Sequence, residues 1–81
     1  MTKRQLDNFQ KLLGNNVVVT LVTMCDKRAQ YVFVYWKGSE GKPFRLDYIF
    51  VLYDGNCLRR YEIDGYLRSY VLKALEQALE K

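Results

Sequence analysis

Apolar and polar positions alternate through the middle of this chain and recur at helical spacing only at its two ends. The β-branched run at 17–25 reads as a strand, and 31–37, 44–53 and 57–63 read as three more. They are separated by the polar turn 26–30, the loop 38–43 with its glycines and proline, and the tight turn Asp54-Gly55-Asn56, a sequence suited to positive φ. Ahead of the strands, Leu6, Phe9, Leu12 and Leu13 form one stripe between a Thr2-x-x-Gln5 capping box and the helix stop Gly14. Behind them, Leu67, Val71, Ala74, Leu75 and Ala78 predict a closing helix over 65–81, capped by Asp64 and widened by Leu72 and Leu79. Lys73 and Lys81 lie toward its end, where the helix dipole favours positive charge.

Short connections between strands favour antiparallel neighbours. The expected fold is therefore α+β, in the order α-β-β-β-β-α. A four-stranded antiparallel meander of order 1-2-3-4 carries both terminal helices on one face. Eighty-one residues allow one domain, 1–81, with a single core. At this mass about 63% of the chain's surface is buried on folding, enough for one covered sheet face.

The tight turn sets the facing residues of strands three and four. Phe44, Leu46, Tyr48, Phe50 and Leu52 are expected to share the helix-covered face with Cys57, Arg59, Tyr61 and Ile63. Arg59 snorkels from that core at the edge. Arg45, Asp47, Ile49, Val51 and Tyr53 share the outer face with Leu58, Arg60 and Glu62. Strand two is apolar on both faces, so its register stays open. The preferred register puts Val32, Val34 and Trp36 inside and Tyr31, Phe33, Tyr35 and Lys37 outside. In strand one Val19 and Leu21 point inward, and Val18, Thr20, Val22 and Met24 outward. The outer face then has an apolar centre of Val22, Tyr31, Phe33, Ile49 and Val51, with Tyr35 beside it. Its rim holds Lys37, Arg45, Asp47, Arg60 and Glu62. Apolar patches of that extent mark interaction sites, although β-propensity alone also places such residues on sheets.

Charge adds a mild bias: 13 Lys and Arg against 9 Asp and Glu give +4. That is compatible with nucleic acid without requiring it. Histidine is absent, and Cys25 and Cys57 match no metal-ligand spacing, which weighs against a zinc site and most nucleophile–base pairs. In a meander the two cysteines lie three strand spacings apart, about 14 Å, too far for a disulfide. No apolar run is long enough to span a membrane, and no signal-peptide core opens the chain, so a cytoplasmic location is expected.

Three functional classes follow. The first is a non-enzymatic protein–protein module, regulatory, inhibitory or accessory, assembling as a homodimer or with a protein partner through Val22, Tyr31, Phe33, Tyr35, Ile49 and Val51. The alternative is a single-stranded nucleic-acid or RNA binder that stacks bases on sheet aromatics, with Lys37, Lys42, Arg45, Tyr53 and Arg60 as contacts. The third is an enzyme using Asp47, Asp54, Glu62 or Asp64. It has the least support, because Arg45 and Arg60 make ion pairs the simpler reading. No cofactor, metal or small-molecule substrate is expected. Lys3 and Arg4 oppose the dipole of the first helix; a bound anion would reverse that cost, and a tolerated surface charge explains it more simply. The helix–sheet–helix order resembles that of the double-stranded RNA-binding domain. That family is expected to carry a Gly-Pro-x-His loop and a Lys-rich start to its second helix. Here the second helix opens Asp64-Gly-Tyr-Leu-Arg68, and the likeness covers element order alone.

Overall fold

The structure of the chain, a computed structural model, describes residues 1–37, 43–65 and 68–80, with Arg68 described by its backbone. Helix α1 (Lys3–Leu13) starts at Thr2. The Thr2 hydroxyl accepts from the Gln5 N–H at 3.1 Å, and the Gln5 side chain accepts from the Thr2 N–H at 2.8 Å. Two amides that a helix start leaves unpaired are thereby satisfied. The helix ends at Gly14, whose φ of 85° suits a residue without Cβ and whose N–H returns to the Gln10 carbonyl. Four strands follow: β1 (Val17–Thr23), β2 (Ala29–Trp36), β3 (Arg45–Tyr53) and β4 (Asn56–Glu62). Helix α2 (Arg68–Leu79) closes the chain. The fold is α+β, α-β-β-β-β-α, and the strands pair antiparallel in the order β1-β2-β3-β4.

The turn between β3 and β4 has positive φ at both central residues, 52° at Asp54 and 80° at Gly55. That is the hairpin turn whose twist matches its flanking strands. Helix α2 departs from expectation toward its end. It is described from Arg68 onward, and Asp64, expected as its cap, pairs with Arg45 at 3.2 Å. Lys73 lies mid-helix, and the last turn carries no basic residue. The loop residues 38–42, with Leu67 and Lys81, lie outside the described residues.

The two helices cover one sheet face. Phe9 and Leu13 of α1 and Val71, Ala74, Leu75 and Ala78 of α2 enclose a core with Val17, Val32, Val34, Tyr48, Phe50 and Leu52. Val19, Leu21 and Trp36 border it, so β1 and β2 face the helices as their preferred register expects. Antiparallel contacts tie the helices together. The Tyr70 hydroxyl donates to the Leu12 carbonyl at 2.5 Å, and the Gln5 amide to the Leu79 carbonyl at 3.4 Å. Gln30 anchors Met1, accepting from its amine and donating to its carbonyl.

A side chain also joins α1 to the edge of the sheet. The Gln10 amide nitrogen donates to the carbonyls of Gly14 (3.1 Å) and Val17 (2.6 Å), and its oxygen accepts from the Val19 N–H at 3.2 Å. Gln10→Ala is therefore expected to cost about 1–2 kcal/mol, measured as a fall in the urea midpoint at unchanged slope, since each neutral hydrogen bond contributes about 1 kcal/mol and part is recovered by water.

Two β-bulges correct the expected faces of β3 and β4. Val34 pairs with Tyr48 but Tyr35 pairs with Leu46, which leaves Asp47 as an extra residue in β3. Val51 pairs with Arg59 but Leu52 with Cys57, which leaves Leu58 extra in β4. Each extra residue reverses the alternation beyond it. Leu46 thus moves to the outer side with Tyr35, and Arg45 to the side of Trp36, with its guanidinium 5.6 Å from that ring's centre. Arg59 and Tyr61 turn outward opposite Val51 and Ile49, while Arg60 and Glu62 turn toward the helix side opposite Phe50 and Tyr48. Asp47 is not an exposed rim residue but is fully buried, and its carbonyl accepts from the Ile63 and Asp64 N–H groups. Phe44 and Ile63, expected in the core, lie exposed beyond the ends of their strands.

Candidate functional site

The sheet face opposite the helices is built in rows. One runs Val18–Tyr35–Leu46; the next runs Thr20–Phe33–Ile49–Tyr61; a third runs Val22–Tyr31–Val51–Arg59. Ala29 and Tyr53 continue it toward the turn end. Leu58, in the bulge beside Arg59, is 67% exposed, and Tyr61 is 46% exposed. Phe33, Tyr31, Tyr35, Leu46, Ile49 and Val51 are each half-buried by their neighbours. The Tyr31 and Phe33 rings lie 6.3 Å apart at a 42° tilt, within the range of favourable ring contacts.

All six residues expected at a partner interface, Val22, Tyr31, Phe33, Tyr35, Ile49 and Val51, therefore share one face. The bulges add Leu46 and Tyr61, which regular alternation misses, while Leu58, expected on this face, stays exposed in the bulge beside Arg59. The bulges also remove most of the expected charge. Among the described strand positions, Arg59 is the one charged residue on this side.

The residues expected to contact nucleic acid do not gather. Tyr53 stays on the outer face beside Ala29. Arg45 lies over Trp36 and pairs with Asp64, and Arg60 lines a crevice on the helix side. Lys37 is exposed just past β2, its N–H bonded to the Asn16 carbonyl at 2.8 Å, and Lys42 lies outside the described residues. Among the candidate acids, Glu62 accepts from the Tyr48 hydroxyl at 3.4 Å, and Asp54 forms an exposed pair with Arg28 at 3.7 Å.

The crevice lies between α2 and β4, about 120 Å³, lined by Phe50, Cys57, Arg60, Leu72, Leu75, Glu76 and Leu79. Burial pushes the Cys57 thiol above its ordinary pKa, and the nearby Arg60 charge only partly offsets this. A thiol held protonated is a poor nucleophile. Both cysteines are free. Among the described residues no three metal-ligating side chains come together, and no helix is long and apolar enough to cross a membrane. No family model matches the chain, and comparison with curated proteins and with solved structures finds no match either.

Proposed function

We propose that this protein works by binding rather than by chemistry, and that its open sheet face is the contact surface, placed against the same face of a second copy. The observation that carries this reading is the outer face itself: three adjacent apolar rows with one charge among the described strand positions. A surface of that kind is covered most readily by another without charge, and a twofold axis supplies one. Four strands at about 4.8 Å spacing and about 25 Å length give a footprint of roughly 500 Å² in projection, more once side-chain relief is included. A standard stable interface takes about 800 Å² per partner, so the face supplies a large part of one. Free thiols suit the reducing cytoplasm as the place of work.

Sedimentation equilibrium tests the reading. The wild-type protein is expected at a mass above the single 9.6 kDa chain, and Phe33→Glu is expected to halve that mass while its circular dichroism spectrum stays that of the folded chain. The introduced carboxylate would place a charge at the centre of the contact while touching nothing beneath the helices. A wild-type mass of one chain at the highest soluble concentration would rule the self-paired face out.

The aromatic rings on that face support a second reading. Tyr31, Phe33, Tyr35, Tyr53 and Tyr61 offer surfaces on which bases stack, and the chain is basic. Retention on single-stranded RNA that falls steeply with salt would favour it. The inward turn of Arg45 and Arg60 leaves this reading fewer phosphate contacts than the sequence suggests.

A further inference from the structure

The two edges of the sheet are built differently. β4 carries Arg59, Arg60 and Glu62 and a bulge at Leu58, features that discourage a further strand from adding. β1, at the other edge, reads Val-Val-Val-Thr-Leu-Val-Thr, with no charge and no proline, and it pairs with β2 without a break in register. An uncharged edge of this kind, in unbroken register with its neighbour, is a template for strand pairing.

Its backbone polarity follows from two bonds at its ends. The Asn16 carbonyl accepts from the Lys37 N–H at 2.8 Å, and the Met24 N–H donates to the Ala29 carbonyl at 3.0 Å. Even-numbered residues of β1 therefore direct their backbone groups at β2, and odd-numbered ones direct theirs at the open edge, because an antiparallel ladder alternates. Gln10 occupies the Val17 carbonyl and the Val19 N–H. The N–H and C=O of Leu21 and Thr23 lie beyond its reach.

We propose that these four groups pair with the same four of a second copy. β1 would run antiparallel to β1 of that copy about a twofold axis at Val22. Leu21 of each chain exchanges N–H···O=C bonds with Thr23 of the other, and the two Val22 side chains meet in the close, non-hydrogen-bonded position between them. Gln10 occupies the Val17 carbonyl and the Val19 N–H and so limits how far pairing extends. A second copy is the occupant because the segment is its own complement when reversed and has no charge to repel itself. The face alone also falls short of a standard interface by the estimate above, and this contact adds to it. The edge axis stands normal to the sheet and the face axis lies parallel to it. Where the two axes cross, four copies close, with the four-stranded sheets joined edge to edge into two continuous eight-stranded ones.

The edge contact stands on its own observations and is tested apart from the face. In a Phe33→Glu background the face is disabled, and the protein is expected to sediment as a pair. Adding Thr23→Pro removes one outward N–H that takes no part in the β1–β2 ladder, a change an edge strand tolerates, and is expected to bring the mass to one chain. Val22→Lys in the same background keeps every backbone donor, sets like charges against each other at the axis, and is expected to do the same. Circular dichroism confirms that each variant is folded. If Phe33→Glu alone is already a single chain, or if neither added change splits the pair, the edge contact is overturned. A wild-type pair that Phe33→Glu leaves intact and Thr23→Pro splits supports the edge and removes the face.

Discussion

Phe50→Ala is expected to bring the protein close to unfolding, with a stability loss of about 3–5 kcal/mol. A domain of this length holds about 4–12 kcal/mol in total. Phe50 is fully buried near the middle of β3, and its ring stacks on Tyr48 with centres 5.4 Å apart and planes 5° from parallel. It stands opposite Val32 on one side and Arg60 on the other. The cavity left by the ring would open into the crevice between α2 and β4, because Phe50 is part of that crevice's wall. Water entry would then replace relaxation of the core. Urea unfolding followed by circular dichroism measures the effect; a loss below about 1 kcal/mol would show that β4 and α2 close over the gap. Phe50→Leu, which retains much of the volume, is expected to lose less than half as much.

Asp47→Ala is expected to cost about 3 kcal/mol, a large effect for a residue that composition alone would place on the surface. Its side chain is completely buried, and among the described residues no buried side-chain nitrogen or oxygen lacks a hydrogen-bond partner. Removing the side chain leaves the buried groups bonded to it without a partner. A buried polar group left unpaired costs about 1–3 kcal/mol. Asp47 is also the extra residue of the β3 bulge, and its carbonyl receives the Ile63 and Asp64 N–H groups as the chain leaves β4. Loss of its side chain thus weakens the point at which the outer face changes phase. The same urea series measures it, with Asp47→Asn expected between wild type and alanine. A cost within about 0.5 kcal/mol of zero would mean that the bulge is held by its backbone alone.

These two residues also mark where sequence and structure part. The strands, their order and the Asp54-Gly55 turn were legible because each rests on a local rule, alternation or positive φ, that tertiary packing did not override. The face of β2 followed from its neighbours, and Phe33 and Ile49 stand opposite each other as the preferred register places them. The bulges were not legible in the same way, because alternation assumes an unbroken period of two. Leu46 and Ile49 sit three apart on one side, as do Leu58 and Tyr61, which no regular strand allows. Apolar residues at that spacing around a polar residue were the available signal. It was masked in β4 by the Arg59-Arg60 doublet, which puts one arginine on each face in either phase. The candidate site was therefore legible at its centre and misread at its rim, where the expected charges belong to the other side of the sheet.

Every residue of β4 is exposed, and α2 faces it across the crevice beside Cys57 and Arg60. In the sheet it pairs with β3 alone, so a local opening that frees it breaks a single ladder. Detachment would bare the flank of β3 and carry off Leu58, Arg59 and Tyr61 together. An interaction that relies on those three side chains can thus be switched off by a local opening, without melting the molecule.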